Sequence, residues 1–351
     1  MRLSSTAIEA VLQRLGVARR VVEVRPLKPD TGKGAGAKAT GYGQPIRVVA
    51  EDEAGTRKSF VLHTASANEF GHDRRADRAD ELLLSFDTYP LIPGHVAPLD
   101  VGFIVDGVLE SGGGKGEPYL LTTWADGRPY AEDLRRIGQR GLEELDFQRC
   151  RALAASLVGL HRHKLDEVKT YRRAIRDLLG HGEGIFGIID GYPGDTPAAP
   201  PDRLRAIEQK CLEWRWWLRE RDARLSRIHG DFHPFNILFG EASDPALVDA
   251  SRGCVGDPAD DVAALTINYV FFAADQPAGW PQFSRLWHTF WHSYLEGSKD
   301  DGLLEVIAPF LAWRGLVVAN PKFYPELSAA GRSRILGLVE RVLSAPRLEL
   351  A

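Results

Sequence analysis

Three polar residues near the middle of the chain, Asp231, Asn236 and Asp249, have the types and spacing of a cation site beside a catalytic carboxylate. Residues 237–239 and 246–248 read as the two strands of a hairpin. Facing Cβ atoms of an antiparallel pair lie roughly 4.5–5.5 Å apart, so we expect Asn236 and Asp249 to meet at its open end. An amide oxygen and a carboxylate are hard ligands that suit Mg²⁺ completed by water and phosphate oxygens.

Asp231 lies on the loop just before this pair, where it could accept a proton from, or orient, a substrate hydroxyl next to a γ-phosphate. Taken alone, each of these residues is ordinarily a helix cap or a solvated acid. The combination of His229, Asp231, Asn236 and Asp249, spaced to converge on one point, indicates a functional site.

Three segments, 229–236, 247–249 and 256–263, together resemble the aminoglycoside phosphotransferase family. That family is the small-molecule branch of the protein-kinase-like fold and includes choline, homoserine and fructosamine kinases. The resemblance implies Asp231 as catalytic base with His229 beside it, Asn236 and Asp249 as Mg²⁺ ligands, and Asp261 as the residue that steadies the catalytic loop. Asp261 also stands at a predicted helix start, where the helix dipole alone favours a carboxylate.

The segment 119–127 resembles the hinge of the same family, which implies that backbone groups of Thr123 and Ala125 contact adenine. His233 is a further candidate that could touch phosphate or make only a structural hydrogen bond. The segment 157–161 resembles the helix that precedes the catalytic loop.

One position departs from the family pattern. The third strand should end in Lys or Arg to hold the α- and β-phosphates, and His63 stands there instead. A neutral imidazole cannot replace a bidentate cation, and a protonated one supplies charge with less reach. Lys33 or Lys38 in the glycine-rich loop 31–43 could reach the phosphates, as could Arg74 or Arg75 on the following helix. The loop 31–43 does not match the Walker P-loop motif, and it could equally be a flexible connector. The acidic residue on the helix that would pair with the strand cation is also open, and Asp77, Asp80 and Glu81 are the candidates.

The elements that must position these residues form two unequal parts. Residues 1–123 read as an antiparallel sheet with one internal helix, and residues 124–351 read as mainly helical, with helices near 142–164, 202–224, 259–274, 280–297, 303–316 and 328–344. The glycine-rich stretch 180–201 reads as a loop, which could be a lid or a substrate loop beside the cleft. Its candidate substrate-contacting residues are Glu183, Asp190 and Tyr192. The class is therefore α+β, and the resemblance implies a protein-kinase-like bilobal fold with a nucleotide-binding N-lobe and a larger helical C-lobe.

The composition and charge of the chain limit the classes of molecule that it is expected to bind. The chain has 351 residues, a formal net charge of −4 and three widely spaced cysteines. It has no strongly basic segment, no disulfide framework and no apolar run long enough for a bilayer, so we expect a cytoplasmic protein without nucleic-acid or membrane partners and leave its oligomeric state open. Residues 265–351 hold eight acids and eight Lys or Arg, which does not favour a polycationic acceptor. The aromatic residues 283, 287, 290, 291 and 294 fall at helical spacing and read as core rather than as a cage for a quaternary ammonium.

We therefore predict a phosphotransferase that uses ATP or GTP with Mg²⁺ and acts on a hydroxyl of a small molecule. The missing strand lysine motivates an alternative, a nucleotide-binding scaffold that is weak or inactive as a catalyst. A third option, transfer of AMP to a protein, would use the same ligands.

Overall fold

A six-stranded antiparallel sheet dominates the first part of the computed structural model, which describes residues 4–27, 43, 45–105, 108–110, 116–240 and 244–350. In chain order its elements are α1 (Ser5–Arg14), β1 (Arg20–Pro26), β2 (Ile46–Glu51), β3 (Arg57–Thr64), α2 (Arg75–Thr88), β4 (Pro98–Val105), β5 (Val108–Glu110) and β6 (Glu117–Thr123). The strand order is β1-β2-β3-β6-β4-β5, so β6 lies between β3 and β4. The predicted division of the chain at residue 123, the last residue of β6, stays a prediction.

Helix α1 covers one face of this sheet because its apolar residues repeat at helical spacing. Ile8, Val11 and Leu12 are buried and share one core with Val48 and Leu121 of the strands. This small core is separate from the larger one in the rest of the chain.

Helices make up most of the remainder. In chain order the elements are β7 (Arg128–Pro129), α3 (Tyr130–Arg140), α4 (Glu144–His161), α5 (Val168–Gly180), α6 (Ile185–Asp190), α7 (Pro201–Leu218), β8 (Ser226–Arg227), β9 (Ile237–Phe239), β10 (Pro245–Leu247), β11 (Val255–Gly256), α8 (Ala259–Ala273), α9 (Trp280–Ser298), α10 (Leu303–Val306), α11 (Ala308–Ala319) and α12 (Ala329–Ser344). The predicted α+β class is confirmed. None of the helices among the described residues has both the length and the apolar character needed to cross a membrane.

The centre of the helical part is formed by α4, α8, α9 and α11, which pack against one another. The aromatic side chains of α9 are buried there, which confirms that they are core: Phe283, Trp287, Phe290, Trp291 and Tyr294. Nearly every residue of α8 is buried, so a polar side chain on that helix is positioned by its surroundings rather than by solvent.

Two predicted boundaries are wrong for local reasons. Residues 185–190 form helix α6 where a loop was predicted, with Ile185 and Ile188 buried; Gly187 is required by packing, because it sits so close to the backbone of Gly182 that no side chain would fit between them. The helix predicted over 303–316 is divided into α10 and α11, since Pro309 lacks the N–H that would continue the helix.

The hairpin of β9 and β10 is hydrogen-bonded to a neighbouring segment along each of its two strands. Strand β9 pairs with β10 in the register Ile237–Leu247, and it also pairs with β7. Residue 247 is joined to the segment before β4, because its N–H donates to the Gly94 carbonyl and its carbonyl accepts from the Val96 N–H, at 3.0 and 3.1 Å. The open end of the hairpin therefore lies against the chain that enters the large sheet.

Candidate active site

The side-chain amide of Asn236 connects the three residues on which the prediction depends. Its Nδ2 donates to Asp231 Oδ2 at 3.0 Å, to the Asp231 carbonyl at 3.1 Å and to the Asp249 carbonyl at 3.2 Å. The Val248 N–H donates to the Asn236 carbonyl at 3.1 Å, which extends the hairpin pairing to this point. These hydrogen bonds fix the orientation of the Asn236 amide, so its Oδ1 atom is available to bind a cation. The structure thus brings Asp231, Asn236 and Asp249 together.

Asp249 is exposed and has a φ of 60°, in the left-handed region that residues other than glycine rarely adopt. Aspartate tolerates this region better than most residues. Strain of this kind persists where the surroundings impose it, and the hydrogen bond from Asn236 to the Asp249 carbonyl is one such restraint. The exposed Asp249 carboxylate and the Asn236 amide oxygen are hard oxygen donors of the kind that a Mg²⁺ ion requires.

Positive charge surrounds the Asp231 carboxylate. Oδ1 accepts from Arg314 Nη1 at 2.6 Å and from Arg252 Nη2 at 3.2 Å, and Oδ2 lies 3.4 Å from His233 Nε2. Burial acts to raise the pKa of Asp231, but the charges of His233, Arg252 and Arg314 outweigh it and hold that pKa well below its usual range. Asp231 is therefore a carboxylate at any physiological pH.

Asp261 anchors the loop that carries Asp231. It stands in the first turn of α8, is fully buried, and accepts the backbone N–H groups of His229 and Gly230 at 2.7 and 2.8 Å. His161 Nε2 lies 3.1 Å from the same carboxylate and is oriented by Tyr294, whose hydroxyl is 2.7 Å from Nδ1. Burial acts to raise the pKa of Asp261, yet the hydrogen bond from His161 and the nearby charges lower it.

Gly230 is the residue that lets the loop make this turn. Its φ is +82°, and a Cβ at this position would lie 2.6 Å from the Gly253 carbonyl oxygen. Only glycine meets both conditions without strain.

His229 is completely buried and acts within the protein rather than at its surface. Its Nδ1 accepts the Asp231 N–H at 3.2 Å, and its Nε2 has no hydrogen-bond partner among the described residues. Burial lowers the pKa of His229 to about 4, so the ring is neutral at pH 7. The ring of His95 lies 5.5 Å away, and burial lowers its pKa to about 3.

The residues predicted to hold nucleotide are less well assembled. His63 Nε2 lies 3.2 Å from Thr122 Oγ1, and burial lowers its pKa to about 4, so it supplies no positive charge at the end of β3. The Thr123 N–H already donates to the Ala97 carbonyl at 2.9 Å, which leaves Ala125 as the candidate hinge donor. Lys33 and Lys38 lie outside the described residues.

The arginines proposed as substitutes on α2 are directed elsewhere. Arg74 pairs with Asp77 at 2.7 Å on the surface, and Arg75 covers the Phe103 ring at 5.2 Å. Of the three candidate acids on the helix, Glu81 points inward and lies 3.0 Å from His72 Nε2.

The glycine-rich segment before α6 reaches the same site through Glu183. Gly182 touches Gly71 so closely that a Cβ on Gly182 would lie 2.3 Å from the Gly71 Cα. The Trp313 indole N–H donates to the Glu183 carbonyl at 2.7 Å, and the Glu183 carboxylate lies 3.8 Å from Arg252. Of the three candidates named on this segment, Glu183 therefore belongs to the site, whereas the Tyr192 hydroxyl donates to the Leu316 carbonyl in the core.

The sequence comparison identifies a family. Residues 56–296, more than half of the chain, match the model of the APH family, described as a phosphotransferase enzyme family. The chain belongs to this family. No curated protein matches the sequence.

Solved structures with the same fold include aminoglycoside phosphotransferases. A thermostable mutant of APH(4)-Ia in complex with ADP and hygromycin B aligns with a TM-score of 0.52 and 13% identity over 97% of this chain and 98% of that chain. The same enzyme with AMP-PNP and hygromycin B gives 0.51 and 14%, with the same coverage. An ethanolamine kinase from Plasmodium vivax aligns at 0.45 and 14%, over 89% of this chain and 81% of that one. At 13–14% identity the likeness to the two APH(4)-Ia structures shows the fold, and the protein-kinase-like architecture is confirmed.

Two arginines of this phosphotransferase were not predicted from the sequence. Arg252 follows Asp249 by three residues, and Arg314 stands alone in the apolar helix α11. Arg314 Nη2 donates to the Gly230 carbonyl at 3.1 Å and to Asp260 at 2.7 Å. An isolated arginine in an otherwise apolar helix is a usable signal, since a buried guanidinium is almost always paired.

Proposed function

We propose that this phosphotransferase transfers the γ-phosphoryl group of ATP, with Mg²⁺, to a hydroxyl of a small molecule. The observation that carries the proposal is the hydrogen bonding of Asn236, whose amide joins Asp231 to Asp249 and leaves an oxygen for a cation. ATP is favoured over GTP by analogy with the relatives of the same fold that were solved with ADP and AMP-PNP.

In this proposal Asn236 Oδ1 and the Asp249 carboxylate would hold Mg²⁺, which would neutralise charge on the phosphate groups. The acceptor oxygen forms a bond to the γ-phosphorus, the bond from that phosphorus to the β–γ bridging oxygen breaks, and ADP leaves with the electron pair. Asp231 accepts the hydrogen bond of the acceptor hydroxyl and points its oxygen at the phosphorus. Because positive charge keeps the pKa of Asp231 low, the proton passes on to solvent and does not stay on the carboxylate.

The residues around this centre position it. His229 and Asp261 touch the catalytic loop through its backbone and hold Asp231 in place. His233 faces the Asp231 carboxylate and is placed to meet a phosphate oxygen. His63, Lys33, Lys38, Thr123 and Ala125 remain the proposed nucleotide-side residues.

The test separates metal binding from transfer. Calorimetric titration with ATP, with and without Mg²⁺, is compared among the native protein and the variants Asp249→Asn and Asp231→Asn. Asp244→Asn is the matched control, because Asp244 is an exposed acid on the same hairpin. We expect Asp249→Asn to lose at least tenfold in Mg²⁺-dependent affinity, Asp231→Asn to keep it but lose transfer, and the control to match the native protein. Equal Mg²⁺-dependent affinity in Asp249→Asn and the control would exclude the metal assignment.

The neutral His63 favours one second candidate, a scaffold that binds nucleotide without transferring phosphate. Replacing His63 by Lys restores the cation expected at the end of the third strand. If the native protein binds ATP but produces no ADP with a broad panel of alcohols, and His63→Lys gains that activity, the scaffold is the better description. Transfer by the native protein excludes it.

A further inference from the structure

A small cavity lies beside Asp231, and three buried polar atoms in its wall have no hydrogen-bond partner among the described residues. Its volume is about 60 Å³. The three atoms are Glu183 Oε1, Asn268 Oδ1 and Arg314 Nε, and each of these residues is at most 6% exposed. An unpartnered buried polar group costs free energy. Glu183 Oε1 has the His72 ring 3.7 Å away, so the need for a partner is greatest at Asn268 Oδ1 and Arg314 Nε, and these two atoms beside the reacting carboxylate indicate that a ligand supplies the missing partners.

The charges around the cavity are already paired with each other. Arg314 pairs with Asp231 and Asp260, and Arg252 pairs with Asp231. Both guanidinium groups also cover the Trp313 ring, at 4.4 Å for Arg252 and 3.9 Å for Arg314. A cationic acceptor would meet two arginines and an anionic one would meet carboxylates, so the cavity favours an uncharged molecule.

The atoms without a partner determine which hydrogen-bond donors and acceptors the bound molecule must have. Asn268 Nδ2 donates to the Ala264 carbonyl at 2.7 Å, so the amide is held with Oδ1 as its remaining acceptor. Arg314 Nε can only donate, whereas Asn268 Oδ1 can only accept. Hydroxyl groups meet both needs because each one donates and accepts. The remaining walls are largely apolar, including Ile267 and Val317, and suit a short carbon chain.

We propose that this cavity binds a short uncharged polyol. One hydroxyl of the polyol contacts Asp231, and the adjacent hydroxyls contact Asn268, Glu183 and Arg314. The inference rests on the proposed function and specifies its acceptor. A cavity of about 60 Å³ holds roughly four to six water-sized groups, which corresponds to a three-carbon polyol counted with its hydroxyl oxygens.

The test uses three acceptors that share a diol and differ in the group on the third carbon, which is neutral, negative or positive. ADP formation is measured with glycerol, with glycerate and with 3-aminopropane-1,2-diol, and the phosphorylated product is identified by mass spectrometry. We expect kcat/KM for glycerol to exceed that for either charged analogue at least tenfold. A charged analogue that is the better acceptor would overturn the proposal.

Asn268→Leu then tests the cavity itself. We expect the KM for glycerol to rise about tenfold, with the ATP affinity unchanged. Thr266→Val is the matched control, since Thr266 is buried on the same helix but does not line the cavity; it should leave this KM unchanged. Native KM in Asn268→Leu, with native thermal stability, would overturn the proposal.

The two proposals fail in different ways. If the protein binds MgATP through Asn236 and Asp249 but phosphorylates none of the three compounds, the polyol inference is wrong and the proposed function stands. If MgATP does not bind, both are wrong.

Discussion

Replacing Asp261 by Asn is the most direct test of how the catalytic loop is held. The two shapes are nearly the same, but both carboxylate oxygens of Asp261 accept hydrogen bonds: Oδ1 from the Gly230 N–H, and Oδ2 from the His229 N–H and from His161. An asparagine can place only one oxygen there, so its NH₂ group must face a backbone donor.

The cost follows from these contacts. A hydrogen bond to a charged group contributes about 1.5–3 kcal/mol, and leaving a buried donor without a partner adds to that loss. The variant loses at least one such bond and leaves one N–H unsatisfied, so we expect the free energy of unfolding to fall by about 3–5 kcal/mol. A displacement of the loop by about 1 Å can reduce the rate about 100-fold, so kcat should fall by a comparable factor while the KM for ATP changes little.

Urea denaturation and steady-state kinetics measure these two effects. Asp202→Asn is the matched control, because Asp202 occupies the first turn of α7 but is fully exposed to solvent. It should change the free energy of unfolding by less than about 0.5 kcal/mol. The reasoning is refuted if Asp261→Asn is as stable and as active as this control.

Three further predictions concern the same loop and its surroundings. Gly230→Ala should destabilise the protein by about 2–3 kcal/mol through its positive φ and its contact with a carbonyl, whereas Gly138→Ala, in an open helical position, should be neutral or stabilising in the same thermal melts. In the folded protein the pKa values of His229, His95 and His63 lie near 3–4. In the unfolded chain these histidines become protonated as the pH falls below about 6.5, whereas in the folded protein they stay neutral. Stability should therefore drop between pH 6.5 and 5, by up to about 2 kcal/mol per histidine, in urea titrations at each pH; a flat profile would contradict their burial as neutral rings. Since Asp231 stays ionised, kcat/KM should show no acidic limb from this carboxylate above pH 5, and a carboxyl resonance in ¹³C NMR spectra that titrates near pH 6 in the native protein and is missing from Asp231→Asn would contradict the geometry.

The hairpin and the catalytic loop could be predicted because they are local in sequence. Asp231, Asn236 and Asp249 lie within 19 residues of each other, and the register of two short strands is enough to bring them together. Asp261 follows in the next helix. Local spacing and one family pattern therefore determine this part of the site.

The acceptor side could be predicted only in part, through the candidate Glu183, because its residues come from distant segments. Glu183 belongs to a glycine-rich stretch, Asn268 to the middle of α8, and Arg314 to α11. The apolar pattern of α8 predicts that Asn268 is buried, but it does not predict which neighbouring element its amide faces. Helix packing alone decides that its amide lines a cavity.

The contact between Gly71 and Gly182 has a consequence for motion. With no side chain between them, the two backbones touch, so the segment that carries Glu183 cannot move further toward the entry to α2 without displacing it. The His72 ring connects the two segments, because its Nε2 lies 3.0 Å from Glu81 Oε2 on α2 and 3.7 Å from Glu183 Oε1. Amide protons of both segments should therefore exchange with solvent in one concerted opening event, and filling one side of the cleft will restrict the other.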